Sequence, residues 1–258
     1  MKISRYVITT KKSNIDLRLA VVSDLHARPF DKVIEALIKI KPDAILLPGD
    51  IVEIATEYMA NRNRNGLCFL QEASRIAPCY YCYGNHEIYH SHAKKGERPS
   101  PEQSVSGQYL DKIRSFGVHL VNDTFEHLDG NESVLIGGLV CGREMDPALN
   151  VSAPNLEFLK EYDEKEGFKI LLCHYPHYYE SILKDSHFDL ILSGHAHGGQ
   201  WRFLGRGIYA PHQGIFPKYT SGIHDGRHII SRGCVNNARP IPRFFNPCEV
   251  LELCVVSK

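Results

Sequence analysis

The chain predicts an α/β layered fold, and three observations carry that expectation. Short, largely apolar runs at Leu17 to Val22, Ala44 to Leu47, Pro78 to Tyr83, Ile170 to Cys173 and Leu190 to Leu192 have the length and composition of strands buried on both faces. Between the first of them stand segments with helical spacing: Val33, Ile34, Leu37 and Ile38; Leu67, Leu70, Ala73 and Ile76; Tyr109, Leu110, Ile113 and Phe116. Strand and helix alternate, as they do where helices cover a sheet. The third observation is a change of rhythm after Thr124. Phe125 to Leu128 and Val134 to Ile136, separated by Asp129-Gly130-Asn131, predict a hairpin. Helical spacing returns at Leu156, Phe158, Leu159 and Tyr162, and again at Tyr178, Ile182 and Leu183. The final third, rich in Gly, Pro and aromatic residues, offers strands at Gly207 to Ala210, His228 to Ser231 and Val250 to Val256. These are expected to form a second sheet closing on the first.

Composition narrows the function classes. With 258 residues, 43% of them apolar and 23% charged, the chain can bury a sizeable core, and one domain over residues 1–258 is expected. Lys plus Arg equals Asp plus Glu at 30 each, so no overall field favours a polyanion, and nucleic acid is demoted as a partner. The eight Cys are scattered, and Met1-Lys2-Ile3-Ser4-Arg5 leads into no apolar leader core, which points to reduced thiols in the cytoplasm. No stretch approaches the roughly 18 unbroken apolar residues of a membrane span, so no transmembrane segment is expected.

Five short segments each place a metal-binding side chain just after an apolar run: Asp24-Leu25-His26, Gly49-Asp50, Gly84-Asn85-His86-Glu87, His174 and Gly194-His195-Ala196-His197. Their oxygen and imidazole nitrogen donors suit divalent Mn, Fe, Zn or Ni. In extended chain, residues two apart point to one side, so Asp24 and His26 can share a centre, and so can His195 and His197. Sheets in α/β folds place ligands beyond the carboxyl ends of their strands, where all five segments lie. Two cations about 3.5 to 4 Å apart could bind phosphoryl oxygens and lower the pKa of a shared water, whose hydroxide would attack phosphorus in line with the leaving oxygen. The Asp50 carboxylate would reduce their mutual repulsion.

In this order the motifs resemble the calcineurin-like metallophosphoesterases, a likeness spanning roughly residues 17 to 200. Gly194 to Gln200 and the tail Pro240-Ile241-Pro242-Arg243-Phe244 look like a bacterial branch containing phosphodiesterases and hydrolases of a nucleotide-linked lipid precursor. The resemblance implies a four-layer α-β-β-α sandwich with two mixed sheets and a di-metal site at the strand ends. It also implies that Asp24, His26 and His197 hold one ion, that Asn85, His174 and His195 hold the other, and that Asp50 bridges both. The expected cofactor is thus a pair of divalent ions, with Mn favoured. By the same resemblance His86 approaches the leaving oxygen as general acid or stabilises the phosphoryl charge, work suited to an imidazole near neutral pH.

Other residues carry weaker signals. Glu53 and Glu87 could orient ligand imidazoles from behind. Arg28, Arg143 and Arg243 could grip phosphate, because a guanidinium fork matches its oxygens. Cys79 and Cys82 read as buried, inert thiols. Phe203, Tyr209, Phe216, Tyr219, Phe244 and Phe245 are expected mainly to pack in core and loops. The polar stretch Ser91 to Ser106 is a candidate loop beside the site. The function expected from all this is metal-dependent hydrolysis of a small-molecule phosphoester, more a diester or pyrophosphate than a monoester, whose substrate could carry a nucleotide or lipid group. The alternatives are a non-catalytic scaffold on the same fold and a nuclease.

Overall fold

The computed structural model of the protein describes residues 1–53, 60–87, 107–141, 154–235 and 242–258. Arg143, the loop 91–106 and Pro240-Ile241 lie outside the described residues. In chain order the first elements are β1 (Lys2–Thr10), β2 (Asp16–Val21), α1 (Asp31–Ile40), β3 (Ala44–Pro48), α2 (Ala60–Ala73), β4 (Cys79–Cys82), α3 (Gly107–Ser115) and β5 (His119–Leu120). They are followed by β6 (Thr124–Leu128), β7 (Asn131–Leu139), α4 (Leu156–Asp163), β8 (Phe168–Cys173) and β9 (Leu190–Ser193). The last are β10 (Arg202–Phe203), β11 (Arg206–Gly207), β12 (Tyr209–Ala210), β13 (Gly214–Ile215), β14 (Gly222–His224), β15 (His228–Ile230) and β16 (Glu249–Ser257).

Two mixed six-stranded sheets result, in the orders β1-β16-β2-β3-β4-β5 and β14-β15-β9-β8-β7-β6. The apolar runs are their parallel centres: β2, β3, β4 and β5 run together in the first sheet, and β15, β9, β8 and β7 in the second. Every residue of β3, β4, β8 and β9 is buried, because one face meets the opposite sheet and the other lies under helices. Leu46, Tyr81, Ile136, Ile170 and Leu192 belong to one continuous apolar core between the sheets. The helices cover the outer faces. α1 buries Val33, Ala36, Leu37 and Ile40, a stripe at helical spacing, and ends where Lys41 turns left-handed at φ 51° and Pro42 follows. Asn155 accepts from the N–H of Phe158 to cap α4, whose Tyr162 hydroxyl donates to Leu135 O and Ile170 O at 2.9 Å, tying the helix to β7 and β8.

The structure agrees with the hairpin, which is β6 and β7 with an irregularity at His127/Leu128, and with the four-layer order. It differs in three places. Val250 to Val256 does not join the second sheet: β16 inserts into the first, parallel to β1 and antiparallel to β2. A strand's own residues do not encode which edge it will pair with, and β1, with its alternation of exposed and buried positions, supplies that edge. Gly207 to Ala210 is interrupted at Ile208, whose N–H donates to Gly199 O and Trp201 O, so it splits between two small ribbons, β10-β11 and β12-β13. The helical spacing at Tyr178 to Leu183 yields only a single wide turn over Tyr179–Leu183. Cys79 and Cys82 are buried, and burial pushes the Cys79 thiol up to about 12, as inert thiols require. No helix among the described residues is long and apolar enough to cross a membrane.

Candidate metal centre

The carboxyl ends of β2, β3, β4, β8 and β9 meet where the two sheets face each other, and the chain turns sharply after each. Asp24, His26, Asp50, His195 and His197 all take left-handed backbone, with φ between 46° and 65°. Such conformations cost on the order of 1 to 3 kcal/mol each for residues other than Gly and persist only where surrounding structure enforces them. The side chains therefore leave their strands by tight turns, and not along the extended chain that the two-residue spacing assumed. Gly49, at φ 89°, and Gly84 let the turns after β3 and β4 touch: a Cβ on Gly49 would lie 2.6 Å from both Gly84 Cα and His174 Nδ1.

Three groups of donor atoms form, each within 4.8 Å: Asp24, His26 and His197; Asp50, His174 and His195; His26, Glu53 and His86. Asn85 joins the second group, its Oδ1 lying 2.9 Å from His195 Nδ1. Asp24 and His26 thus share a centre as their spacing suggested. His195 and His197 do not fall in one group: His195 lies with Asp50 and His174, and His197 with Asp24 and His26.

Asp24 and Asp50 are buried, and among the described residues their ion-pair partners are all imidazoles. His197 Nε2 is 3.5 Å from Asp24 Oδ1, while His174 Nε2 and His26 Nε2 are 3.1 and 3.7 Å from Asp50 Oδ2. Burial holds His195 and His197 neutral, the latter at about 3, which is the form that ligates metal. Burial also disfavours charge on His174, but Asp50 overcomes it and carries that imidazole up to about 10. A proton is thereby held where compensating positive charge is needed. Asp24 and Asp50 are thus buried carboxylates with no Lys or Arg within ion-pair distance among the described residues, an environment that a divalent cation would stabilise.

The surrounding contacts orient the rings. His174 Nδ1 donates to Pro48 O at 2.7 Å, which turns Nε2 toward Asp50 Oδ2. Glu53 accepts from His26 Nδ1 at 3.0 Å and from His86 Nδ1 at 2.9 Å. Burial works against ionisation of Glu53, yet these two imidazoles hold its carboxyl at about 2. His86 is likewise opposed by burial but lifted to about 9 by Asp50 and Glu53, and its backbone N–H donates to Asp50 Oδ1 at 2.9 Å.

Glu53 therefore does what its position suggested, and Glu87 does something else. Among the described residues it hydrogen-bonds no imidazole; it is fully buried and accepts from the backbone N–H groups of Asp50, Ile51, Val52 and Gly84, at 2.7 to 3.1 Å, and from the Tyr81 hydroxyl. Of the arginines, Arg28 is exposed. Arg243 reaches the centre, with Nη2 3.2 Å from His197 Nδ1, while its Nε and Nη1 are buried without a hydrogen-bond partner among the described residues. Sequence reasoning missed Asn246, whose Nδ2 donates to His197 O and Gln200 O, and the imidazole of His212, which stacks on those of His177 and His195 at 5.1 and 5.3 Å. Neither follows an apolar run, so only the high His count hinted at His212.

The aromatic residues of the last third are a further correction. Tyr219 is buried, whereas Phe203, Tyr209, Phe216, Phe244 and Phe245 are exposed. They stand on short ribbons and turns over which the described residues place no layer.

A family model described as calcineurin-like phosphoesterase matches residues 17–199. An uncharacterized metallophosphoesterase of Aquifex aeolicus is 26% identical, covering 100% of this chain and 93% of its own length. One from Helicobacter pylori strain 26695 is 30% identical over 77% of this chain, which spans only 49% of that longer protein. A Chlamydia muridarum protein named UDP-2,3-diacylglucosamine pyrophosphatase is 28% identical over 71% of this chain and 64% of its own.

Proposed function

Because the chain belongs to the calcineurin-like phosphoesterase family, we propose that it is a di-metal phosphoester hydrolase acting on diesters or pyrophosphate linkages. The observation that carries this reading is the pair of donor groups built on Asp24 and Asp50, two buried carboxylates whose ion-pair partners among the described residues are imidazoles. Asp24, His26 and His197 would hold one divalent ion and Asn85, His174 and His195 the other, with Asp50 between them. Manganese is favoured over Fe, Zn or Ni. Such ions supply Lewis-acid polarisation of phosphoryl oxygens and an acidified water. The relative named a pyrophosphatase of a diacylated UDP-sugar supports extending the substrates to pyrophosphates bearing a nucleotide or lipid group. The common apolar core of both sheets supports one domain over residues 1–258, and the buried free thiols fit a reducing cytoplasm.

The chain's own groups then divide the remaining work. Glu53 fixes the rings of His26 and His86 together, so the ligand and the proton donor are oriented by one carboxylate. His86, held by Glu53 and kept charged near neutrality by its raised pKa, would deliver a proton to the leaving oxygen. His86→Ala should lower kcat by about 10²- to 10³-fold for an alkyl leaving group and much less for nitrophenolate, which needs no proton. Comparing the two esters in steady state checks this; equal losses would assign His86 to charge stabilisation instead.

Arg243 brings two unpartnered N–H groups beside His197 and is suited to holding a phosphate oxygen. Arg243→Lys should raise KM by about tenfold with kcat within about threefold and metal content unchanged, since a point charge replaces the fork. Unaltered KM would remove it from substrate binding.

The test of the function is hydrolysis of bis(nitrophenyl) phosphate beside the monoester, with each of the four metals. Diester turnover that requires metal supports the proposal. Folded protein that turns over neither ester with any metal would favour the non-catalytic scaffold.

A further inference from the structure

The exposed side chains of the last third form one apolar surface beside the candidate centre. Phe203 and Leu204, Ile215 and Phe216, and Phe244 and Phe245 stand on three adjacent loops, with Leu204 87% and Phe245 88% exposed. Backbone hydrogen bonds hold the loops side by side: Ile208 N to Trp201 O and Phe216 N to Ile208 O at 2.8 Å, and Arg202 N to Phe244 O at 3.0 Å. Elsewhere among the described residues the exposed large apolar side chains are Met1, Val7, Ile38 and Leu156, spread over different elements. Clustered exposure of this kind marks a contact surface.

Its charge selects the partner. No Asp or Glu occurs from residue 190 to 224 or from 242 to 248, although those segments carry Arg202, Arg206, Lys218 and Arg243. Lys218 is neutralised by Glu180 at 2.5 Å, Arg202 donates to Gly198 O, Thr220 Oγ1 and Gly205 O, and Arg243 turns inward to His197, which leaves the exposed Arg206. A second copy of the chain docked about a two-fold axis would bring Arg206 from both sides to a surface that offers it no acid. Exposed Phe and Trp with Arg206 and no acid is instead the composition of a surface that rests in the headgroup layer of an anionic membrane, rings inserted and the Arg206 guanidinium on a lipid phosphate.

We propose that the loops 201–204, 213–216 and 243–245 dock the protein on an anionic lipid surface. The loops are pinned to the centre, since Asn246 holds His197 O and Gln200 O and Trp201 follows His197 by four residues. Docking therefore keeps the candidate centre beside the headgroup layer. Vesicle binding by these loops is read without turnover, so its failure would leave the hydrolase proposal standing.

The experiment is cosedimentation of the full chain with vesicles of phosphatidylcholine and of phosphatidylcholine with phosphatidylglycerol, at low and high salt. Binding to the anionic vesicles is expected, weaker to the neutral ones and reduced by salt. It should fall at least about tenfold in Phe203→Ser/Phe216→Ser/Phe245→Ser and severalfold in Arg206→Glu, with circular dichroism and hydrolysis of the soluble diester unchanged. No binding by the unaltered protein, equal binding to both vesicles, or a triple variant that binds as well would overturn the proposal. So would a dimer in sedimentation velocity that the triple variant dissolves, which would give the surface to a second copy.

Discussion

Asp50→Asn is expected to cut kcat for the diester by at least about 10³-fold, equivalent to about 4 kcal/mol of transition-state stabilisation, and to leave less than the full complement of bound metal. The variant isolates charge from structure. Asn keeps an oxygen that can accept from the His86 N–H, as Asp50 Oδ1 does at 2.9 Å, so the turn after β3 retains its link to the turn after β4. What is lost is the negative charge 3.1 Å from His174 and 3.7 Å from His26, the charge that would hold two cations together in the proposed centre. Turnover and elemental analysis of the purified variant, together with an unchanged circular dichroism spectrum, check the result. Retained turnover with full metal would remove Asp50 from between the ions.

Glu87→Gln should produce the largest loss of stability, about 4 kcal/mol, seen as a fall in Tm on the order of 10 °C. Burial and the nearby Asp50 press this carboxyl toward protonation, but four backbone N–H groups and the Tyr81 hydroxyl converge on its two oxygens and leave no place for a proton. An amide presents an NH₂ group to at least two of those donors, and each N–H left facing it is buried without a partner. Because the donors belong to Gly84 and to Asp50, Ile51 and Val52, the variant should also loosen the turns that carry Asp50 and Asn85, and metal affinity should fall with stability. Calorimetry and a metal titration measure the two together; an unchanged Tm would mean that the carboxylate is not the clasp these contacts describe.

The strands that hold the centre were legible because an interior parallel strand must be apolar on both faces, and β3, β8 and β9 have almost no other kind of residue. The seven candidate ligands were legible because each follows such a run. Glu87 was not. Beside Asn85 and His86 it looks like another polar residue of a loop, and its role appears only once the turn after β3, 36 residues earlier in the chain for Ile51, is folded against it. The exposed aromatic residues misled in the opposite sense: Phe203 and Phe245 have core composition, and only the absence of a covering layer among the described residues leaves them in solvent.

Local chemistry by itself thus determined which segments become strands, where they end and which donor atoms stand at those ends, since these depend on apolar periodicity and side-chain type over a few residues. Tertiary structure decided the rest. The pairing of β16 between β1 and β2, the parting of His195 from His197, the binding of His26 and His86 to Glu53 and the alignment of the three apolar loops all join residues far apart in the chain. Such contacts form only when closing the long intervening loops is offset by burial of the common core, and no short window of sequence contains both partners.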